Sequence, residues 1–419
     1  MAVGVIEERL CPECGTGMAF SPHFVTWCEA CDWNVDPSPP PRLNWRDRRV
    51  AQASAKASRK QFERISRSDM THAPRRLPAT YVVAALVHLL TVLSLAAGIL
   101  MLVDGFGIML PLRVIFGGMA VGSAAVVQPF WSKRRKRSKP AGRDELPELF
   151  KLADEVAAAL GCKGLDGVLF SPVYSAWIQR SRRQGWVMTI GLALWVTLSP
   201  QEKVALIGHE LGHQLNKDQR KSMLVYGAAY SMARWSYLWK PGARITPVRG
   251  LPALAEPLAF LVMLPVTLSA AGLAWLLMVL GARQGLAAEY YADVLAAEAA
   301  GSSATASLLE QLLLAEACHR QLEHVAKFKQ DADPWTELAA YAASIPAQER
   351  ERQRRLGRLR LPAVDDSHPP TQLRADLIRK LPSRTPKVTL DSSRAATIEH
   401  ELARITARAT ANLRSRYPR

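Results

Sequence analysis

The feature that most constrains this 419-residue chain is an uncharged apolar run from Tyr81 to Val103. It is long enough to cross a bilayer as a helix, because one crossing takes about 20 apolar residues. Residues 104–105 (Asp-Gly) follow as a turn, and a second apolar segment runs from Phe106 to Trp131. The pattern predicts a transmembrane helical hairpin over residues 78–131.

Basic residues flank both ends of this hairpin. The chain has 54 Lys and Arg against 37 Asp and Glu, a net charge of +17, although 49% of its residues are hydrophobic. Eleven of the basic residues lie between Arg42 and Arg76, and a run of five begins at Lys133. Because positive flanks stay on the cytoplasmic side, we expect a multipass cell-membrane protein with a cytoplasmic N-terminus. The expected partners of this charge are the lipid bilayer and anionic lipid headgroups, and nucleic acid is the less favoured partner.

Four of the six cysteines lie close to the start of the chain, where Cys11, Cys14, Cys28 and Cys31 form two C-x-x-C pairs. Two such pairs supply the four sulfur ligands of a structural Zn²⁺ ion. Residues 1–36 therefore resemble a rubredoxin-like zinc ribbon, with two disulfides as the alternative. Residues 37–77 would then be a basic linker that includes a juxtamembrane helix.

A second metal site is predicted on a helix that begins at Pro200, with Ser199 as its N-cap. Residues 209–213 are His-Glu-Leu-Gly-His. His209 and His213 are four residues apart, so both imidazoles lie on one helix face and can share one Zn²⁺ ion. Glu210 is the candidate general base for the bound water. The alternative is a chance occurrence on a helix surface.

A catalytic zinc site needs a third protein ligand, and the candidate lies further along the chain. Glu289 and Asp293 are again four residues apart. Glu289 can bind the metal, and Asp293 can accept a hydrogen bond from a histidine ligand and so fix its tautomer. The alternative is that Glu289 is an ordinary acid on a helix surface.

Together, His-Glu-Leu-Gly-His, the Glu-x-x-Ala-Asp sequence and the apolar segments resemble the membrane-embedded M48 metallopeptidases. Residues 368–374 (His-Pro-Pro-Thr-Gln-Leu-Arg) are similar to a third family motif, H-P-P-x-x-x-R. The resemblance implies that His368 and Arg374 line the active site, with Arg374 stabilising the oxyanion. It extends over roughly Leu77 to Lys380, and the layout is closer to the HtpX type than to the prenyl-protease type.

The same resemblance implies an edge strand that binds the substrate main chain by β-augmentation. Residues 186–192 are the candidate for this strand, with Trp186, Met188 and Ile190 as substrate-binding residues. Thr371 and Ser175 depart from the family pattern, which affects the details of the substrate groove.

The position of Glu289 limits the membrane topology, because it must return to the side on which His213 lies. The apolar stretch from Leu251 to Ala282 therefore needs a partner crossing, and Met223–Leu238 is the candidate. Four crossings are favoured, and a long hairpin that lies against the membrane is the alternative. The densely basic stretch Gln348–Arg360 is expected to be solvated.

The expected fold class is mainly α: a multipass helical membrane protein with a gluzincin-type zinc metallopeptidase core of helices and a small β-sheet, and a small N-terminal zinc ribbon. The peptidase domain would span residues 144–385, with further membrane segments at about 222–282 and a polar peripheral tail at 386–419.

The expected activity is zinc-dependent hydrolysis of peptide bonds in membrane or membrane-associated polypeptides, at an active site that faces the cytoplasm. One catalytic and one structural Zn²⁺ ion are expected. Two other classes remain open: a catalytically silent membrane scaffold, and a nucleic-acid or protein binder that acts through the zinc ribbon.

Overall fold

The computed structural model describes residues 7–38, 78–104, 109–127, 139–181, 184–215, 218–238, 251–359 and 370–416, and in the linker residues 52, 55–56, 59–60 and 62–67. Most of the basic linker and the basic run at Lys133 therefore lie outside the described residues. The chain divides into two compact units. The first contains residues 1–73, 138–216 and 286–419, and the second contains residues 74–137 and 217–285.

Helices dominate the described residues. In chain order the elements are β1 (Glu7–Leu10), β2 (Gly17–Phe20), α1 (Pro78–Val103), α2 (Leu110–Val127), α3 (Pro147–Leu160), β3 (Gly167–Ser171), β4 (Ala176–Ser181), β5 (Gly185–Gly191), α4 (Leu192–Trp195), α5 (Pro200–Leu215), α6 (Asp218–Leu238), α7 (Leu251–Ala300), α8 (Ser302–Leu312), α9 (Ala315–Phe328), α10 (Pro334–Ser344), α11 (Ala347–Leu359), α12 (Thr371–Lys380) and α13 (Ser392–Arg414). This confirms the mainly helical class with small sheets.

The first unit contains a three-stranded sheet in the order β3-β5-β4, with β5 parallel to β3 and antiparallel to β4. The prediction that residues 186–192 form an edge strand is therefore wrong. Met188 and Ile190, predicted to bind substrate, are buried in the core, and Trp186 is packed against it. A nearly continuous apolar run such as this one is typical of a strand covered on both faces.

The core of the first unit lies between the sheet, α3 and α5. Helix α3 buries the stripe Leu149, Leu152 and Val156, as its 3.6-residue periodicity predicts. It ends at Gly161, whose φ of 68° is the left-handed conformation that favours glycine after a helix.

The C-terminal segment, predicted to be a peripheral tail, belongs to this same core. Helix α13 buries Ile398 and Leu402, which lie four residues apart on one face of the helix. The Glu401 carboxylate accepts the backbone N–H groups of Glu148 and Leu149 at the start of α3, at 2.8 and 3.2 Å. The prediction was wrong because the polar overall composition conceals an amphipathic stripe.

The second unit contains α1, α2, α6 and the first part of α7. Helices α1 and α2 approach closely: a Cβ on Gly98 would lie 2.8 Å from the Ala120 side chain. Arg113 donates to the main-chain oxygen of Val103 at 2.8 Å and so satisfies the C-terminal end of α1. His88 in α1 lies 3.0 Å from the main-chain oxygen of Leu224 in α6, so this ionisable side chain has a hydrogen-bond partner within the unit.

Two helices among the described residues are long and apolar enough to cross a membrane, over Ala79–Val103 and Leu264–Ala300. Helix α2 contributes a shorter apolar stretch, Leu110–Ala124, and α6 is not among the candidates. The hairpin therefore has one full-length candidate span, and the number of crossings stays a prediction.

Candidate active site

The helix that carries His-Glu-Leu-Gly-His begins with the predicted cap. The Ser199 hydroxyl accepts the Glu202 N–H at 3.4 Å, and the Glu202 carboxylate accepts the Ser199 N–H at 2.7 Å. This reciprocal capping box satisfies two N–H groups that the helix leaves without partners. Residues 204–207 are buried in the core, so α5 is held firmly along its length.

Close packing between α5 and the last part of α7 brings the metal-binding side chains together. A Cβ on Gly208 would lie 3.2 Å from the Cα of Ala296, and a Cβ on Gly212 would lie 3.2 Å from the Cα of Ala292. The small residues on both helices permit this approach. Glu289 consequently lies opposite the two histidines.

Three candidate ligand side chains converge at this crossing. The Nε2 atoms of His209 and His213 are 3.3 Å apart, and they lie 3.5 and 3.6 Å from the two carboxylate oxygens of Glu289. A tetrahedral Zn²⁺ ion with bonds of about 2.0–2.2 Å needs ligand atoms about 3.3–3.5 Å apart. The geometry of His209, His213 and Glu289 therefore fits a zinc ion.

Asp293 and Arg374 hold His209, one of the three candidate ligands, in position. The Nδ1 atom of His209 lies 3.0 Å from Asp293 Oδ1, so Asp293 fixes the ring with Nε2 toward Glu289. Arg374 donates through Nε and Nη2 to the two oxygens of Asp293, both at 2.7 Å. All three side chains are buried, and such a bidentate pair holds the carboxylate in one orientation.

The electrostatic field at the site favours positive charge. Burial lowers the pKa of His209, but the hydrogen bonds with Asp293 and Glu289 outweigh it and raise that pKa above its ordinary value. Burial likewise lowers the pKa of Arg374, and the neighbouring Asp293 and Glu289 more than compensate, so that it too is raised. A field that stabilises a proton on the ring also stabilises a metal cation in its place.

The structure brings most of the predicted site residues together, and one of them lies outside the described residues. The structure brings His209, His213, Glu289, Asp293 and Arg374 into one cluster. Glu210 is buried on the same helix, directly after the first histidine. His368 lies outside the described residues.

Two features of the site were not predicted from the sequence. One is the pair between Asp293 and Arg374, which lie 81 residues apart in the chain. The other is β4, which lies at an end of the sheet order and packs beside α5. The polar residues Gln179 and Arg180 in β4, in contrast to the nearly continuous apolar run of β5, are a signal that could have indicated an edge strand.

The four N-terminal cysteines form a second group of potential ligands. The sulfur atoms of Cys11 and Cys31 are 3.6 Å apart, and those of Cys14 and Cys28 are 3.5 Å apart. All four lie within 4.8 Å of one another and are free thiols, whereas a disulfide bond would need about 2.05 Å. Tetrahedral zinc with bonds of about 2.3 Å requires sulfur atoms about 3.8 Å apart, so the set fits a structural zinc ion.

A His-Glu-x-x-His helix with a glutamate ligand from a second helix defines the class of gluzincin-type metallopeptidases. Comparison with protein-family models agrees: residues 148–381, more than half of the chain, match Peptidase family M48. The chain belongs to this family of metallopeptidases. No curated protein and no solved structure matches it. The four-cysteine segment at Cys11–Cys31 lies outside the matched residues.

Proposed function

We propose that this chain is a membrane-bound zinc endopeptidase that hydrolyses peptide bonds in membrane or membrane-associated proteins. The observation that carries the proposal is the convergence of the ligand atoms of His209, His213 and Glu289 at distances suited to tetrahedral zinc. Zinc, when bound there, supplies a Lewis acid that polarises the scissile carbonyl and makes water more acidic.

The residues around the ligands have separate roles in this proposal. Glu210 takes the proton from the attacking water and passes it to the leaving amine, the work of a general base and then a general acid. Asp293 holds His209 in one tautomer. Arg374 holds Asp293 and balances the negative charge of the cluster. His368 joins them as a residue that assists the transition state, on the strength of the family motif.

Strand β4 replaces residues 186–192 as the proposed substrate-binding strand. It lies at an end of the sheet order β3-β5-β4 and beside α5, the helix that carries His209 and Glu210. An extended peptide paired with β4 would therefore run past the metal ligands, with its main chain held by hydrogen bonds and little demand on its sequence.

The membrane part of the proposal rests on α1. Leu86, Leu89 and Leu93 are each more than half exposed, and the helix has no charged residue from Tyr81 to Val103. Apolar side chains exposed along a helix of this length are suited to lipid rather than to water. The basic flanks support the proposal that the N-terminus and the active site are on the cytoplasmic side.

The test of the activity uses the full-length protein purified in detergent. Glu210→Gln should reduce cleavage of an unfolded protein such as casein by about 10²- to 10⁴-fold, because a general base contributes a factor of that size. Its zinc content should stay at two ions per chain. The control is Glu316→Gln, an exposed acid that pairs with Arg320 on α9, which should leave both unchanged.

Elemental analysis separates the two metal sites. His213→Ala should remove the catalytic ion and leave one zinc per chain, whereas Cys11→Ser with Cys14→Ser should remove the other. Undiminished cleavage by Glu210→Gln would refute the proposed mechanism, and a wild-type zinc content of zero would refute both sites.

A further inference from the structure

The zinc ribbon contacts α11, the arginine-rich helix that was expected to be solvated. Arg352 is only 6% exposed, and its Nη1 donates to the main-chain oxygen of Val35 at 2.7 Å. Its Nε and Nη2 atoms form a bidentate pair with Glu349, which is also buried. Because the Arg352–Glu349 pair is buried and bidentate, it fixes the orientation of the guanidinium that binds Val35.

A second arginine reinforces the same contact. Arg355 donates through Nη1 to the main-chain oxygen of Glu29 at 2.6 Å and to Asp32 Oδ1 at 2.7 Å. Its guanidinium lies 5.0 Å from the ring centroid of Trp27, within the range of a cation–π interaction. Trp27, Val35 and Leu356 form a small buried apolar cluster beneath it.

All the ribbon groups in this contact lie within residues 27–35, around Cys28 and Cys31. The loop is tightly wound: Asp32 and Asn34 both have a φ of 59°, and the Cys28 N–H donates to the main-chain oxygen of Trp33 at 3.0 Å. Left-handed backbone at non-glycine residues persists only when the surroundings hold it. A module this small lacks a core large enough to do so, and a structural metal supplies that free energy.

Helix α11 leads to α12, which carries Arg374. Arg358 pairs with Asp376 of α12 at 3.1 Å. A second connection runs through α8, because Glu310 pairs with Arg354 of α11 and also with Arg379 of α12. The ribbon, α11 and α12 are thus joined by successive ion pairs that end at the helix of Arg374.

The linker adds a contact on α12 itself. Ile65 is buried with Leu377 of α12 and with Tyr290, the neighbour of Glu289. Lys380 donates to the Ser66 hydroxyl at 3.4 Å. The N-terminal region therefore packs on both helices of the α11–α12 pair.

We propose that the ribbon is a metal-dependent clamp on the α11–α12 helix pair. With zinc on its four cysteines, it holds α12 where Arg374 meets Asp293, and loss of that zinc releases α11 and lowers catalytic efficiency while the catalytic metal stays bound. Arg352 and Arg355 are positioning residues in this scheme. The proposal relies on the proposed peptidase function only for its activity measurement.

The experiment uses the full-length protein in detergent and compares three variants with wild type. Cys28→Ser with Cys31→Ser removes the ribbon zinc. Asp32→Asn with Arg355→Gln keeps both zinc ions but removes the ion pair, and asparagine tolerates the positive φ at this position. Arg320→Gln, an exposed arginine that pairs with Glu316 on α9, is the control.

The first measurement is hydrogen exchange and trypsin cleavage in α11, which is rich in arginine. Both should be about tenfold faster in the cysteine variant and faster to a smaller degree in the pair variant, because release lowers the local opening free energy. The control should match wild type. Unchanged exchange and cleavage in the cysteine variant would overturn the proposal.

The second measurement is the split between kcat and KM. In the cysteine variant kcat should fall about 10- to 100-fold, the usual effect of losing a group that orients a metal ligand, with KM unchanged. Zinc content should be one ion per chain. Faster exchange in α11 with unchanged kcat would overturn the positioning role. If the wild-type protein has no peptidase activity, the proposed function is refuted. The exchange and cleavage rates of α11 then test the clamp on their own.

Discussion

At the scale of single residues, Asp293 connects the candidate metal ligands to helix α12. It links the Nδ1 atom of His209 to the guanidinium of Arg374 and is itself almost fully buried. Its negative charge therefore acts on the metal site through the orientation of His209, without contributing a ligand atom of its own.

Asp293→Asn tests this role. The amide keeps the size of the side chain but loses the charge, so the ring of His209 is no longer fixed in the metal-binding tautomer. We expect zinc affinity at the catalytic site to fall about 10- to 100-fold, as measured by competition with a chelator. Glu298→Gln on the same helix, whose side chain pairs with Lys387, is the control and should bind zinc as wild type does. Equal affinity in the two variants would contradict the role of Asp293.

The residues of the candidate active site differ in how far the sequence could predict them. His209 and His213, and likewise Glu289 and Asp293, are four residues apart, and helix geometry alone puts each pair on one face. The bidentate pair of Arg374 with Asp293 depends on how α12 packs against α7, and no local pattern reports such packing. The family motif nevertheless indicated that Arg374 belongs to the site.

At the scale of secondary structure, α13 shows how much of the core comes from outside the family match. Val388, Leu390, Ile398 and Leu402 pack into the same cluster as α3 and α5. Glu401 also accepts N–H groups at the start of α3. The segment after residue 385 is thus part of the scaffold that supports the zinc helix.

Leu402→Ala should accordingly destabilise the first unit. The side chain is fully buried, and removing a buried leucine side chain costs about 2–5 kcal/mol through lost burial and the cavity left behind. Arg404→Ala, at an exposed position two residues along, should change the free energy of unfolding by less than about 0.5 kcal/mol. Urea denaturation of both variants measures the difference, and equal stabilities would mean that α13 is peripheral after all.

Local sequence patterns predicted features of α3 and α5 but not the boundary between α8 and α9. The apolar stripe of α3 and the cap of α5 were both visible in the sequence, and both are confirmed. The uninterrupted stretch from Ser303 to Lys327 predicts a single helix, whereas the structure has two, α8 and α9, which separate at Leu313 and Leu314. No glycine or proline marks this break, so the cause is the packing of each helix on a different neighbour.

At the scale of the whole molecule, the net charge of +17 has more than one use. Part of it flanks the apolar hairpin, where it is expected to set the orientation in the membrane. Another part lies in α11, where Arg352, Arg354 and Arg355 pair with acids, one of which is Asp32 of the four-cysteine segment. Membrane topology gives no reason for the arginines of α11, whereas their ion pairs account for them.

The apolar character of α1 leads to a prediction about its position within the bilayer. Leu93 lies in the middle of α1, where an arginine would cost about 2.5–3.5 kcal/mol in the hydrocarbon core. Leu102 lies at the end of the same helix, where a long cationic side chain can extend to the interface at little cost. We therefore expect Leu93→Arg to reduce the fraction of protein that stays in membranes after alkaline carbonate washing, and Leu102→Arg to leave that fraction unchanged. If both basic flanks are cytoplasmic, as proposed, trypsin should remove an N-terminal tag in inverted vesicles and spare it in intact cells. Equal membrane retention of the two variants would mean that α1 does not cross the bilayer, and tag removal from intact cells would reverse the orientation.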